Sequence, residues 1–89
     1  MNYIQRIKSM LSKKLDIKDD LLDLYSLLVL VKGTKCTLED VHDAWAVWQN
    51  KYKSDHKSLI PFENLSPEVQ ELDREYTETI VEVARELYK

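Results

Sequence analysis

The chain of 89 residues contains one cysteine, one glycine, two prolines and two histidines. A lone Cys36 cannot close an intramolecular disulfide, and no basic start followed by an apolar run and a small-residue cleavage site is present, so the expected compartment is the cytoplasm. The longest apolar run, Leu27 to Val31, falls far short of the ~20 residues that cross a bilayer, so no membrane association is expected. So few glycines and prolines, among abundant Leu, Glu, Lys and Asp, predict a helical domain and not a strand-and-turn one. Two histidines without a nearby cysteine or a clear carboxylate set do not make a metal signature, and no motif names a reaction. The expectation is a protein that is not an enzyme and uses no metal or cofactor.

The length allows a single domain over residues 1–89 with one core. Small domains bury a low fraction of their surface, which favours self-association, and a homo-oligomer is expected. The net charge of −3 is uneven: five basic residues against Asp16 give +4 over residues 1–18, leaving −7 for the remainder. An acidic body argues against nucleic acid as a partner. The basic start alone suits nucleic acid, a membrane surface or an acidic face of a second copy of the chain, the last as readily as the first two together.

Periodicity predicts an all-α bundle of about four helices. Tyr3, Ile4, Ile7, Met10, Leu11 and Leu15 form one apolar stripe. Asp19 or Asp20 is placed to cap a second helix, LLDLYSLLVLVKG, so apolar that other helices should surround it and ended by Gly33. Thr37 and Asp40 form a reciprocal cap for a third helix with Leu38, Val41, Ala44, Trp45, Trp48 and Tyr52 on one side. An irregular loop spans about 53–62, where Pro61 extends Ile60 and Leu59, Ile60 and Phe62 serve as anchors. Ser66 and Pro67 start a last helix to about Leu87. Its seam is Val69, Leu72, Tyr76, Ile80, Val83 and Leu87, with Val81 and Tyr88 off it as a possible second contact surface.

The distinctive side chains fall within 37–76: both tryptophans, both histidines, both prolines and the only phenylalanine. His42 and Trp45 in HDAWAVW, then His56, Leu59, Ile60, Pro61 and Phe62 in HKSLIPF, Leu65, and Asp73–Arg74 resemble the ryanodine-receptor repeat (RyR) domain over residues 37–80. The chain has Lys57 where that family often has Pro and Ile60 where it has Val, and it lacks the family's glycine- and aromatic-rich insert. A closer resemblance, over most of the chain, is to small helical phage and bacterial proteins with an E-D-V-H-D-A-W block and a P-F-x-x-L segment. These resemblances imply a phage-type protein that binds and sequesters a nucleotide-derived immune signal, a cyclic nucleotide or ADP-ribose type, without catalysis.

The residues open the same possibility chemically. A base can stack on Trp or Tyr while His, Lys57 and Arg74 meet phosphate oxygens. The candidate ligand-binding set is His42, Trp45, Trp48, His56, Lys57, Phe62, Arg74 and Tyr76. Against it stands a structural role: Trp45, Leu59, Pro61 and Phe62 fasten the loop to the third helix, and His42 bonds loop backbone. An alternative function is a protein-interaction module that docks a host or phage protein through the basic first helix and acidic last one.

Overall fold

Helix α1 begins where Asn2 and Gln5 cap each other: the Asn2 side chain accepts from the Gln5 N–H at 2.8 Å and the Gln5 side chain accepts from the Asn2 N–H at 3.0 Å. In the computed structural model, which describes residues 1–87, α1 covers Tyr3–Ser12. It stops one turn short of the expected Leu15, yet Leu15 stays buried, because the turn after the helix carries it under Ile7 and Leu11 into the same core.

Helix α2, Asp19–Val31, is the central element and packs against α1 and two later helices. Asp19 and Asp20 do not cap it. Lys18 holds the N-cap position without a side-chain bond, and both acids sit in the first turn, where the positive end of the helix dipole favours them. Leu21, Leu22, Tyr25, Ser26 and Val29 are buried, with the Ser26 hydroxyl donating to the Leu22 carbonyl at 2.8 Å. Other helices do not enclose it on every side: Leu27 and Val31, one turn apart, are 52 % and 63 % exposed. Gly33 then takes φ +56°, a left-handed conformation that ends the helix at little cost only for glycine. A single 3-10 turn, Gly33–Lys35, follows and leads to the buried Cys36.

Helix α3, Leu38–Tyr52, starts on the expected reciprocal cap, with the Asp40 N–H donating to the Thr37 hydroxyl at 3.2 Å and the Thr37 N–H to the Asp40 carboxylate at 3.0 Å. After the irregular segment 53–61 comes a 3-10 turn, Phe62–Asn64, and then the short helix α4, Pro67–Glu71. Ser66 caps α4 by accepting from the Val69 N–H at 3.4 Å. The expected single last helix breaks here. The N–H groups of Leu72 and Asp73 bond three residues back, to Val69 and Gln70, and α5 restarts at Arg74 and runs to Leu87.

The break divides the expected seam. Ile80 and Val83 face the core with Ala84, and Val81 also packs against it, so Val81 is not part of a separate surface. Leu72 lies at the break, 69 % exposed. Tyr88 lies outside the described residues. Among the described residues, four long helices and one short one form an all-α domain, and no helix is long and apolar enough to cross a membrane.

Two cations of the basic start find partners within the chain. Lys8 reaches Asp19 and Asp23 of α2 at 3.1 and 2.7 Å, and Lys14 reaches Glu82 of α5 at 2.9 Å. Exposed pairs of this kind add little stability, but they fix which faces of α1, α2 and α5 meet.

Candidate functional site

The irregular segment after α3 is held by its backbone. The His42 ring, 3 % exposed, lies against the Ile60 carbonyl with Nε2 at 2.8 Å, so Nε2 carries the hydrogen that this carbonyl accepts. Ile60 therefore anchors the segment through its carbonyl, while its side chain is 42 % exposed. The deeper apolar anchor is Leu65, which is buried. From α4, the Gln70 amide donates to the Phe62 carbonyl at 2.9 Å and to the Leu65 carbonyl at 3.3 Å.

Rings complete the fastening. Phe62 and Trp45 both pack near His42, with centroids 6.0 and 5.7 Å away, and His56 meets Trp45 edge to face at 5.1 Å. His56 is itself oriented by the Ser58 N–H, which donates to its Nδ1 at 3.0 Å. The role expected for His42 and Phe62, tying the loop to α3, is what the geometry displays. For Trp45 that role coexists with a second one.

Trp45 also lines a cleft of about 540 Å³ between α2, α3, the loop and the break before α5. This size lies within the range of small-molecule sites. His42, His56 and Tyr76 line it too, so four of the eight sequence-derived candidates come together there. The other four do not line it. Trp48 faces away, donating from Nε1 to the Asp20 carboxylate at 2.7 Å. Phe62 packs against His42 outside the lining, and Lys57 is exposed on the loop. Arg74 is on the outer side of α5, where it forms a two-bond pair with Glu71 at 2.7 and 3.1 Å.

The sequence reading missed the polar floor of the cleft. Tyr25 is 1 % exposed, and Asp73, half-buried, sits at the break where α5 restarts. Burial pushes the Asp73 carboxyl up from its ordinary value, against a smaller opposing pull from His42. The Tyr25 hydroxyl is pushed up as well, first by burial and then by the Asp73 charge, which places the two groups within electrostatic reach. Glu75 also lines the cleft, and among the described residues no lysine or arginine does. The signal for Asp73 was its partner in the D-R pair: one residue's rotation on a helix sends Arg74 outward as Asp73 turns inward.

Cys36 is buried, and burial raises its thiol to about 11, so it is an inert side chain. Among the described residues no group of three or more His, Cys, Asp or Glu is placed to hold a metal ion.

The chain belongs to the family described as Domain of unknown function (DUF7701), whose family model matches residues 2–85. No curated protein and no solved structure matches the chain.

Proposed function

We propose that this DUF7701 domain binds a nucleotide-derived signalling molecule in the Trp45 cleft and sequesters it without chemical change. The observation that carries this reading is the cleft itself, about 540 Å³, with Trp45, Tyr76 and two imidazoles on its walls and Tyr25 with Asp73 at its floor. Flat aromatic walls suit a base, because stacking is tolerant of base identity. The lack of lysine and arginine among the lining residues favours a ligand whose phosphates stay at the mouth. The sequence resemblances supply the biological setting: a phage-type protein acting in the host cytoplasm against a cyclic nucleotide or ADP-ribose-type signal, as a homo-oligomer. Calorimetry over cyclic mononucleotides, cyclic dinucleotides and cyclic ADP-ribose isomers tests it. Saturable binding by one class, with the ligand recovered intact, supports the reading, and no heat across the whole panel overturns it.

The second reading is a protein-docking module, favoured by Leu27 and Val31, which leave an apolar patch on the outer face of α2. A pull-down lost on Leu27→Asp but kept on Trp45→Ala would support this alternative.

A further inference from the structure

A nearly buried polar group that lines the cleft has no hydrogen-bond partner among the described residues. The Tyr25 hydroxyl makes no hydrogen bond to any described residue, although the side chain is 1 % exposed. Among the described residues no fully buried side-chain oxygen or nitrogen is left unsatisfied, so this hydroxyl opens onto the cleft that Tyr25 lines. Asp73 lines the same cleft and, among the described residues, its carboxylate makes neither a hydrogen bond nor an ion pair. A tyrosine hydroxyl donates or accepts, whereas an ionised carboxylate only accepts. Within the one cleft they present one donor and one acceptor, with the Tyr76 ring 5.9 Å from Tyr25 and Trp45 on the α3 wall.

We infer that Tyr25 and Asp73 together read the edge of an amino-substituted heteroaromatic ring of the adenine type, its exocyclic N–H donating to Asp73 and its neighbouring ring nitrogen accepting from Tyr25. The inference rests on the nucleotide-binding reading above and narrows it to the ligand's base. An adenine edge sets a donor beside an acceptor, matching this pair. A hypoxanthine held in the same orientation sets an acceptor and then a donor, the reverse order, and puts its carbonyl against the carboxylate. Phosphate oxygens only accept when ionised, and Asp73 and Glu75 repel them, so the phosphates contribute little to affinity.

Calorimetry of the intact chain with adenosine, inosine and AMP tests the pairing. Adenosine and AMP bind with affinities within about threefold of each other, and inosine binds at least about tenfold more weakly, the scale set by buried polar groups left unmatched. Tyr25→Phe keeps the buried ring and its packing, so it folds, and it weakens adenosine about tenfold. Asp73→Ala gives the independent second test and a loss at least as large. If inosine equals adenosine, if AMP binds far more tightly than adenosine, or if Tyr25→Phe leaves adenosine affinity unchanged, the base-reading role is overturned while nucleotide binding stands. If none of the three probes binds but a member of the cyclic nucleotide panel does, the base-reading role likewise falls alone. Silence from every probe in both sets overturns both readings.

Discussion

Trp45 and Trp48 stand on one helix, three residues apart, and their surroundings differ in one respect that governs what each can do. At Trp48 the polar groups are all answered: its Nε1 donates to Asp20, the Tyr52 hydroxyl donates to the other oxygen of the same carboxylate, and Lys51 lies 3.7 Å from it. The Trp48 and Tyr52 rings pack with centroids 5.0 Å apart. That end of α3 is a clasp onto the start of α2, held by hydrogen bonds to Asp20. At Trp45 the rings meet just as closely, but the space in front holds an unpartnered hydroxyl and a half-buried carboxylate. Aromatic packing alone does not separate a clasp from a site. What separates them is whether the polar groups beside the rings are already spent.

Substitutions in the two regions should separate them. The largest effect belongs to the fastening that both regions share. His42→Ala removes a buried ring that packs near Trp45 and Phe62 and orphans the Ile60 carbonyl, and it should cost about 3 kcal/mol in urea unfolding. Next comes the clasp: Trp48→Phe keeps an aromatic ring but leaves Asp20 one donor short, a smaller loss of stability than that of His42→Ala, with ligand affinity unchanged.

The acids of the two regions should respond to pH with opposite signs. Hydrogen bonds from Tyr52 and then Trp48 hold Asp20 below its ordinary range. Its contribution to stability is therefore present above the ordinary carboxylate pKa and is lost as pH falls through the lower folded value. Asp73 is raised by burial, so its ionisation opposes folding: stability is greatest below the ordinary value and declines as pH rises through the higher folded one. Asp73→Asn should therefore raise the thermal midpoint at pH 7 by a small amount, and Asp20→Asn should lower it. A stabilising Asp73→Asn is what a group retained for binding predicts. The smallest effects belong to Lys57→Ala and Arg74→Ala, which should leave both the unfolding midpoint and ligand affinity unchanged, since neither side chain lines the cleft.

The sequence disclosed the local features and missed most of the distant ones. Thr37 with Asp40, Gly33, and Ser66 with Pro67 mark element ends because their signals act within a turn. His42 was readable as the loop's tether because Pro61 forces the neighbouring backbone into an extended form with a carbonyl to satisfy. Asp20 looked like a cap, since its true partners, Trp48 and Tyr52, lie 28 and 32 positions away. Tyr25 was hidden within a Leu-rich helix, where a ring reads as core whichever way its hydroxyl faces. The break at Leu72–Asp73 was masked by a seam that runs unbroken through the sequence, and that break brings Asp73, not Arg74, to the cleft.

The division between the two tryptophans is tested most directly by fluorescence titration of two single-tryptophan variants with adenosine and ADP-ribose. In Trp48→Phe the remaining emission comes from Trp45 and should change saturably with one or both ligands. In Trp45→Phe the emission comes from Trp48, whose Nε1 is held by Asp20 and which does not line the Trp45 cleft, and should stay constant under the same additions. A saturable response from Trp48, or none from Trp45 where calorimetry records binding, would contradict the account.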